Sequence, residues 1–490
     1  MGVSTVSDAA PGEGIFPDAA FLVLSSRLIP GLDGGYTIAT AARARQMAAR
    51  GADVQVLTVD PADAAAHAAH RAEFARLGML PAGIPLRNLF DEASAPGGGA
   101  APWLRAAASA PESSRVNHLP PSAPVGDVDI RFPRQEVVHS QEEADSYREL
   151  TDAEGRAYAA LPVIQGNPDW HLSTVPVRVY DEAGETVGTL AGFGGLYRAW
   201  LDHLVEGADR PVVVICESRQ LGELLAGWSN PKARIVHAIH TMHLEPPYTP
   251  DAPLNALWTR WFAVSDRFDA VIWPTQAQRD DVQSRFGGDA VNLVSPHGIR
   301  LPEVSDHARE PGLVVSVSRL APGKRIDHLV RAFLAADVPG TRLEIWGDGP
   351  STASVAEQIA ALDAGDRIAL MGRTDDPAAV LRRASLMVTA TAYEGQGLSI
   401  VEALAAGCPV VSYDVRYGPG DALRRGGGLL VPAGDERVLA DAIRRVLTDA
   451  PLRERLAADA PVAASAWSED AAMTSLAAAA RLALSAPPRR

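Results

Sequence analysis

Two glutamates, Glu394 and Glu402, stand with seven residues between them in the run TATAYEGQGLSIVEALAAGCPVVSYD. Ionised carboxylates are acceptor-only groups, suited to the hydroxyls of a sugar and a ribose. Gly395 and Gly397 permit close approach of backbone to a ligand. The apolar spacing of Leu398, Val401 and Leu404 predicts a helix beginning near Leu398. Its free N–H groups and positive dipole end would face the glycine loop, a place for an anion such as a diphosphate. Glu402 falls one turn into that helix, so two carboxylates flank one strand end. Position alone also fits a capping acid at Glu394 and a solvated acid at Glu402.

A second constellation is cationic. In VSVSRLAPGKRIDHLVRAF, Arg319 follows a strand and Lys324 comes five residues later, just before a helix. Arginine binds a phosphate as a fork and lysine as a point charge, so both can reach one diphosphate. The chain holds only two lysines, Lys232 and Lys324, among 45 basic residues, and one of them stands here. Such a pair neutralises a leaving nucleoside diphosphate without a metal. Arg325 is adjacent but need not share that role.

A third cluster is VHAIHTMHLEPPY, with His237, His240 and His243 spaced by three. The segment reads as a strand, which puts residues i and i+3 on opposite faces, so a metal site is not expected. The two cysteines, Cys216 and Cys408, end apolar runs and read as buried thiols rather than a disulfide framework or metal ligands.

The elements that must hold these residues alternate in type. FLVLSS (21–26), a glycine-bearing loop with Gly34 and Gly35, a helix from Thr37 and VQVLTV (54–59) form a βαβ unit. Residues 93–125 are rich in Ala, Pro, Gly and Ser and read as a linker. From about 115 to 193 the texture is strand-like, with VDIRF, EVVHS and a hairpin turning at Ala183 and Gly184, a β-rich insertion. VVVIC, ARIVHAIH and AVIW resume the α/β pattern, and SPHGIR (295–300) marks a crossover between domains. From residue 312 strands and helices alternate regularly, which predicts a parallel, doubly wound sheet whose ligand lies at the strand carboxyl ends. The expected division is a disordered leader 1–18, an N-terminal Rossmann-like domain 19–298, a C-terminal one 299–470, and a helical tail 471–490 packing back on the first domain.

On these residues the chain resembles the family-4 retaining glycosyltransferases of the GT-B fold. The resemblance rests on Glu-x7-Glu with GQGLS between, the following Ala-Gly-Cys-Pro-Val strand, and Arg319-x4-Lys324. It implies an α/β fold of two Rossmann-like domains facing across a cleft. It implies that Glu394 contacts the donor sugar and Glu402 the ribose, with Gly395, Gln396, Gly397 and Leu398 lining the donor. Arg319 and Lys324 would hold its phosphates, and the Gly34–Gly35 pair would approach them. Gly347, in a Gly-Asp-Gly-Pro turn, Gly372 and Arg373 would lie on the nucleotide side, with Val431–Gly434 closing that domain. One histidine would sit beside the reacting carbon: His240 is the first choice, His243 the second, and His237 belongs to the core or edge. SYDVRYGPGDAL resembles more narrowly the bacterial transferases that glycosylate polyol-phosphate teichoic acids and their relatives acting on serine-rich adhesins. That implies acceptor contacts at His243, Arg416 and Tyr417, although Gly420 and Asp421 depart from the pattern.

The implied reaction is retaining transfer of a hexose or N-acetylhexosamine from a UDP-sugar to an acceptor hydroxyl, with no metal or other cofactor. The implied acceptor is an anionic glycopolymer or another glycan or protein. Two other classes stand against it. A nicotinamide oxidoreductase needs a GxGxxG turn after its first strand, which RLIPGLDGGY does not supply. A catalytically silent GT-B subunit supporting a partner predicts loss of the donor residues, and all four are present. A net charge of −15 opposes a nucleic-acid partner. No apolar run is long enough to cross a membrane, and the first residues lack a signal peptide's pattern. The expected location is the cytoplasm, with peripheral contact at the inner membrane face, and the β-rich insertion is a surface through which copies could associate.

Overall fold

The computed structural model describes residues 14–32, 34–110, 143–166, 170–302 and 309–490. Two parallel sheets organise it. The first has seven strands in the order Asn292–Val294, Ala270–Trp273, Ala233–Ala238, Val212–Cys216, Ala20–Ser25, Asp53–Thr58 and Leu86–Asn88. The second has six, in the order Ile368–Gly372, Arg342–Trp346, Leu313–Val317, Leu386–Thr389, Val410–Asp414 and Gly428–Pro432. The central strands are continuous apolar runs because helices cover both faces. Phe21 to Leu24 and Val212 to Cys216 are all buried.

Each sheet reverses its strand order at its first strand, and this places the functional loops. Leu313–Val317 lies between Arg342–Trp346 and Leu386–Thr389, pairing Val314 with Leu386 and Val315 with Met387. The loop after the first of these strands carries Arg319 and Lys324, and the loop after Leu386–Thr389 carries Glu394. Residues seventy positions apart therefore meet at a topological switch point. In the first sheet Val212–Cys216 pairs with Ala233–Ala238, Cys216 opposite His237, so the loops beginning at Glu217 and Ile239 emerge together.

The strand-rich insertion is an antiparallel sheet of Ser146–Thr151, Ala157–Val163, Val177–Tyr180 and Thr186–Leu190. Its last hairpin turns through Ala183 and Gly184, the latter at φ 81°. VDIRF and EVVHS lie outside the described residues. The linker expected at 93–125 is helical in part. Pro102–Ala108 opens with proline at its first turn, buries Leu104 and Ala108, and lies so close to the insertion that a Cβ on Gly188 would overlap the Ala108 carbonyl. Its Ala-rich composition disguised a docked helix as a spacer.

The leader also differs from expectation where it is described. Phe16 is buried and packs edge-on against Phe21 at 5.4 Å, because an aromatic ring beside the first strand has a core to enter. At the other end the helix Glu469–Leu484 returns to the first domain. Ala472, Met473, Leu476 and Ala480 share a core with Phe21, Val23, Val213 and Val236. The two crossings between domains run side by side, with Ile299 N–H donating to Trp467 O at 2.9 Å and Glu469 N–H to Ile299 O at 3.0 Å.

Candidate active site

The loop that carries Glu394 is fixed from both sides before any side chain acts. Ala392 N–H donates to Gly323 O at 2.8 Å, tying the strand end to the turn that carries Lys324. Glu394 N–H donates to Arg416 O at 3.0 Å, and Tyr417 N–H donates to Glu394 O at 2.8 Å. Held this way, the Glu394 carboxylate meets the Lys324 ammonium at 2.5 Å. Arg319 on the same turn is exposed, and its guanidinium has no hydrogen-bond or ion-pair partner among the described residues. The helix Leu398–Ala405 starts from Gly397 in the left-handed region, φ 77°, with no side-chain cap on its free N–H groups.

Glu402 is set apart from this pair. Its carboxylate has no hydrogen-bond or ion-pair partner among the described residues and lines a cavity of about 270 Å³ with Arg43, His297, Arg300, Asp376 and Leu398. Burial pushes its pKa up to about 7. An acid held in such a place without a partner is poised to accept from ligand hydroxyls.

The first domain closes on this loop. A Cβ on Gly395 would lie 2.5 Å from the His240 carbonyl oxygen, so only glycine permits that approach. Gln396, expected to line the donor, is buried and serves the interdomain crossing instead. Its amide oxygen accepts from His297 N–H at 2.7 Å and its amide nitrogen donates to His297 O at 3.0 Å. Across the cleft Leu398 lies 4.0 Å from the Cβ position of Gly35, and the Arg373 guanidinium 3.9 Å from that of Gly31. Gly34, at φ 47°, precedes the helix Gly35–Ala48 and has open space around it. A Cβ on Gly347 would overlap the Ser318 carbonyl, and the Gly347 N–H donates to Gly372 O at 2.7 Å. It shapes the Arg319 turn by close backbone packing.

The three histidines separate by environment. His237 is buried on its strand, accepts from Trp261 Nε1 at 3.2 Å, and is held neutral by burial, its pKa lowered to about 3. His243 is enclosed by Trp258, Phe262, Trp273 and Phe286, stacks on Tyr417, and is lowered to about 3 for the same reason. Only His240 stays at the cleft, just beyond the strand end. It stacks on His297 at 4.8 Å and lies 4.9 Å from Tyr36.

The acceptor contacts expected at His243 and Tyr417 are therefore corrected for this conformation. Both are buried, because the chain after His240 turns inward under an aromatic cluster. Tyr417 donates its hydroxyl to Asp281, and Arg416 pairs with the same carboxylate at 3.2 Å. Asp421 accepts from Ala277 N–H at 2.9 Å, at the start of helix Gln276–Phe286. The segment 416–421 fastens the second domain to the first.

Sequence reasoning missed Glu217. It is fully buried, bonds His240 Nε2 through Oε2 at 2.5 Å, and meets Arg43 Nε through Oε1 at 2.8 Å. The arginine and the imidazole hold its pKa below the usual glutamate range despite burial. The usable signal was its place directly after VVVIC, where strand-end acids of α/β sheets collect. No group of three or more metal-ligating side chains occurs among the described residues.

Two Rossmann-like domains meeting across a cleft, with cations and carboxylates at the switch point of the second, define a GT-B fold. Residues 300–462, which carry Arg319, Lys324, Glu394 and Glu402, match the family model of glycosyl transferases group 1. The chain is 27% identical over 272 residues to a poly(glycerol-phosphate) alpha-glucosyltransferase of Bacillus subtilis (strain 168), covering 54% of this chain and 40% of that protein. It is 29% identical over 255 residues to a UDP-N-acetylglucosamine–peptide N-acetylglucosaminyltransferase GtfA subunit of Streptococcus gordonii, covering 50% of this chain and 49% of that one. The chain thus spans less than half the length of either relative. Its fold matches a crystal structure of an S. aureus TarM variant in complex with UDP, α-GlcNAc-glycerol and fondaparinux. The TM-score is 0.68 at 17% identity, over 94% of this chain and 99% of that one.

Proposed function

We propose that this chain is a retaining glycosyltransferase that moves a hexose or N-acetylhexosamine from a UDP-sugar to an acceptor hydroxyl. The observation that carries the reading is the Lys324–Glu394 pair, set beside exposed Arg319 and closed upon by His240. The donor diphosphate lies between Arg319, Lys324 and the uncapped start of helix Leu398–Ala405, where developing charge on the leaving group is stabilised. Lys324 exchanges its contact with Glu394 for the phosphate, which frees Glu394 to accept from sugar hydroxyls. Glu402 accepts from the ribose, and Arg373 and Gly372 border the nucleotide. His240 faces the sugar near its reacting carbon.

In the transfer, the bond from the anomeric carbon to the phosphate oxygen breaks and a bond to the acceptor oxygen forms on the same face. The departing phosphate oxygen takes the acceptor proton, so no protein base and no metal is required. Closure of Gly395 on His240 keeps water from competing. A cell-envelope polymer such as a teichoic acid is favoured as acceptor by the named activity of the Bacillus relative, and a protein acceptor by that of the streptococcal one. Arg416, partly exposed at the cleft edge, is the remaining acceptor-side candidate. No described helix is long and apolar enough to cross a membrane, and peripheral association at a membrane face fits an envelope polymer as acceptor.

The test is a panel of UDP- and GDP-sugars with purified protein, following nucleotide release with and without polyol-phosphate polymer. Turnover with a UDP-sugar, abolished in Lys324→Ala, supports the reading. Failure of every donor to bind or react defeats it.

A further inference from the structure

The buried Glu217 has no part in the proposed transfer chemistry, yet it touches His240 at the cleft. Its two oxygens are divided: Oε2 takes His240 Nε2 at 2.5 Å, while Oε1 faces Arg43 Nε at 2.8 Å. Arg43 is itself buried, and one of its terminal nitrogens lies 3.3 Å from His297 Nδ1. A guanidinium only donates, so that imidazole nitrogen must accept. Burial holds His297 neutral, well below the usual histidine range.

We propose that Glu217 is the positioning residue for His240: it fixes the ring as the Nε2–H tautomer and leaves Nδ1 bare as an acceptor toward the donor sugar. The inference rests on the glycosyl-transfer reading for its consequence, though not for its geometry. An ionised carboxylate only accepts, so Nε2 must carry the proton. The hydrogen-bonded partner of one imidazole nitrogen decides which tautomer is present. Nδ1 has no hydrogen-bond or ion-pair partner among the described residues, and the His240 side chain is partly exposed, so it is the nitrogen left for a ligand. A base at that position can receive a hydrogen bond from a sugar hydroxyl, and the opposite tautomer cannot.

Arg43 makes the consequence sharper. In Glu217→Gln the amide oxygen is drawn to the guanidinium, because an amide NH2 facing Arg43 would set donor against donor. The NH2 then faces His240, and the ring must invert to Nδ1–H. The same logic makes a carboxylate-to-amide change costly behind other catalytic imidazoles.

Two measurements test this on the full chain. The first is the long-range 15N–1H correlation spectrum of the neutral His240 ring, assigned with His240→Ala. We expect Nε2–H in the native protein and Nδ1–H in Glu217→Gln; Nδ1–H in the native protein, or no inversion in the variant, overturns the proposal. The second is a double-mutant cycle on release of UDP from the donor that turns over. Glu217→Gln should lower kcat by about tenfold or more with UDP affinity and melting temperature near native. It should add no further loss in the His240→Ala background, because its effect passes through that ring. Additive losses indicate a merely structural acid and overturn the proposal. Inversion of the tautomer in a protein that turns over no donor leaves the positioning claim standing and removes the transferase reading. Turnover with an unchanged tautomer does the reverse.

Discussion

Replacing Glu402 by glutamine should flatten a pH dependence that the native site is built to show. Burial without a protein partner lifts the Glu402 carboxyl to about 7 from an ordinary value of 4.5. About one site in eleven is then ionised at pH 6 and about ten in eleven at pH 8. The ionised form accepts from ribose hydroxyls through both oxygens, and the protonated form accepts more weakly. If the protonated form contributes nothing, nucleotide affinity rises by about tenfold between those pH values, or about 1.4 kcal/mol. The sign follows from linkage: binding that favours the carboxylate releases a proton, close to one per site at pH 6 and little at pH 8. Titration calorimetry of UDP at the two pH values, in buffers of different ionisation enthalpy, reads both quantities. Ionisation of the terminal phosphate of UDP is common to both proteins and cancels in the native-to-variant ratio. A ratio that does not change with pH would refute the assignment of Glu402 to the ribose. The raised carboxyl also works against the empty fold. The native protein should lose stability as pH rises from 4.5 toward 7, and Glu402→Gln should lose less over that interval.

Other expectations follow from the same geometry. Gly395→Ala places a Cβ 2.5 Å from the His240 carbonyl and should hold the domains apart, lowering kcat/KM by about a hundredfold while each domain stays folded; near-native kcat/KM would show that this closure is unnecessary. Gly347→Ala meets the Ser318 carbonyl at a φ of 135° and should cost about 1–3 kcal/mol in denaturant unfolding; an unchanged midpoint would mean that the Arg319 turn relaxes freely. Arg319→Ala should weaken UDP far more than uridine, by the same assay. Turnover should survive exhaustive treatment with a chelator, and a strict need for added divalent cation would count against the cationic pair as the neutralising device.

Much of this architecture could be read from residues in order, and the reason is physical. Strands covered on both faces, such as Val212–Cys216, are continuous apolar runs, and the loops after them are where ligands of open sheets bind. Glu394 and Glu402 were legible because one strand–loop–helix unit contains both, and Arg319 with Lys324 because they share a turn. That the two units touch follows from strand pairing, which spacing does not record. The contact between Glu217 and His240 was hidden for the same reason: the two residues follow neighbouring strands. His243 and Tyr417 misled because a motif gives the position of a residue but not the direction in which a loop turns. The chain after His240 folds beneath Trp258 and Phe262, and Tyr417 seals that cluster on Asp281. The bond of the Gln396 amide to His297 joins residues ninety-nine positions apart, which no local pattern records.

The central claim is that one cleft carries a sugar from a nucleotide to a hydroxyl with its configuration kept. The most direct measurement is proton NMR of the product formed from an α-linked UDP-sugar by the native protein and by Glu394→Gln. An α-linked product is expected from the native protein and none from the variant. A β-linked product, or equal product from Glu394→Gln, would contradict it.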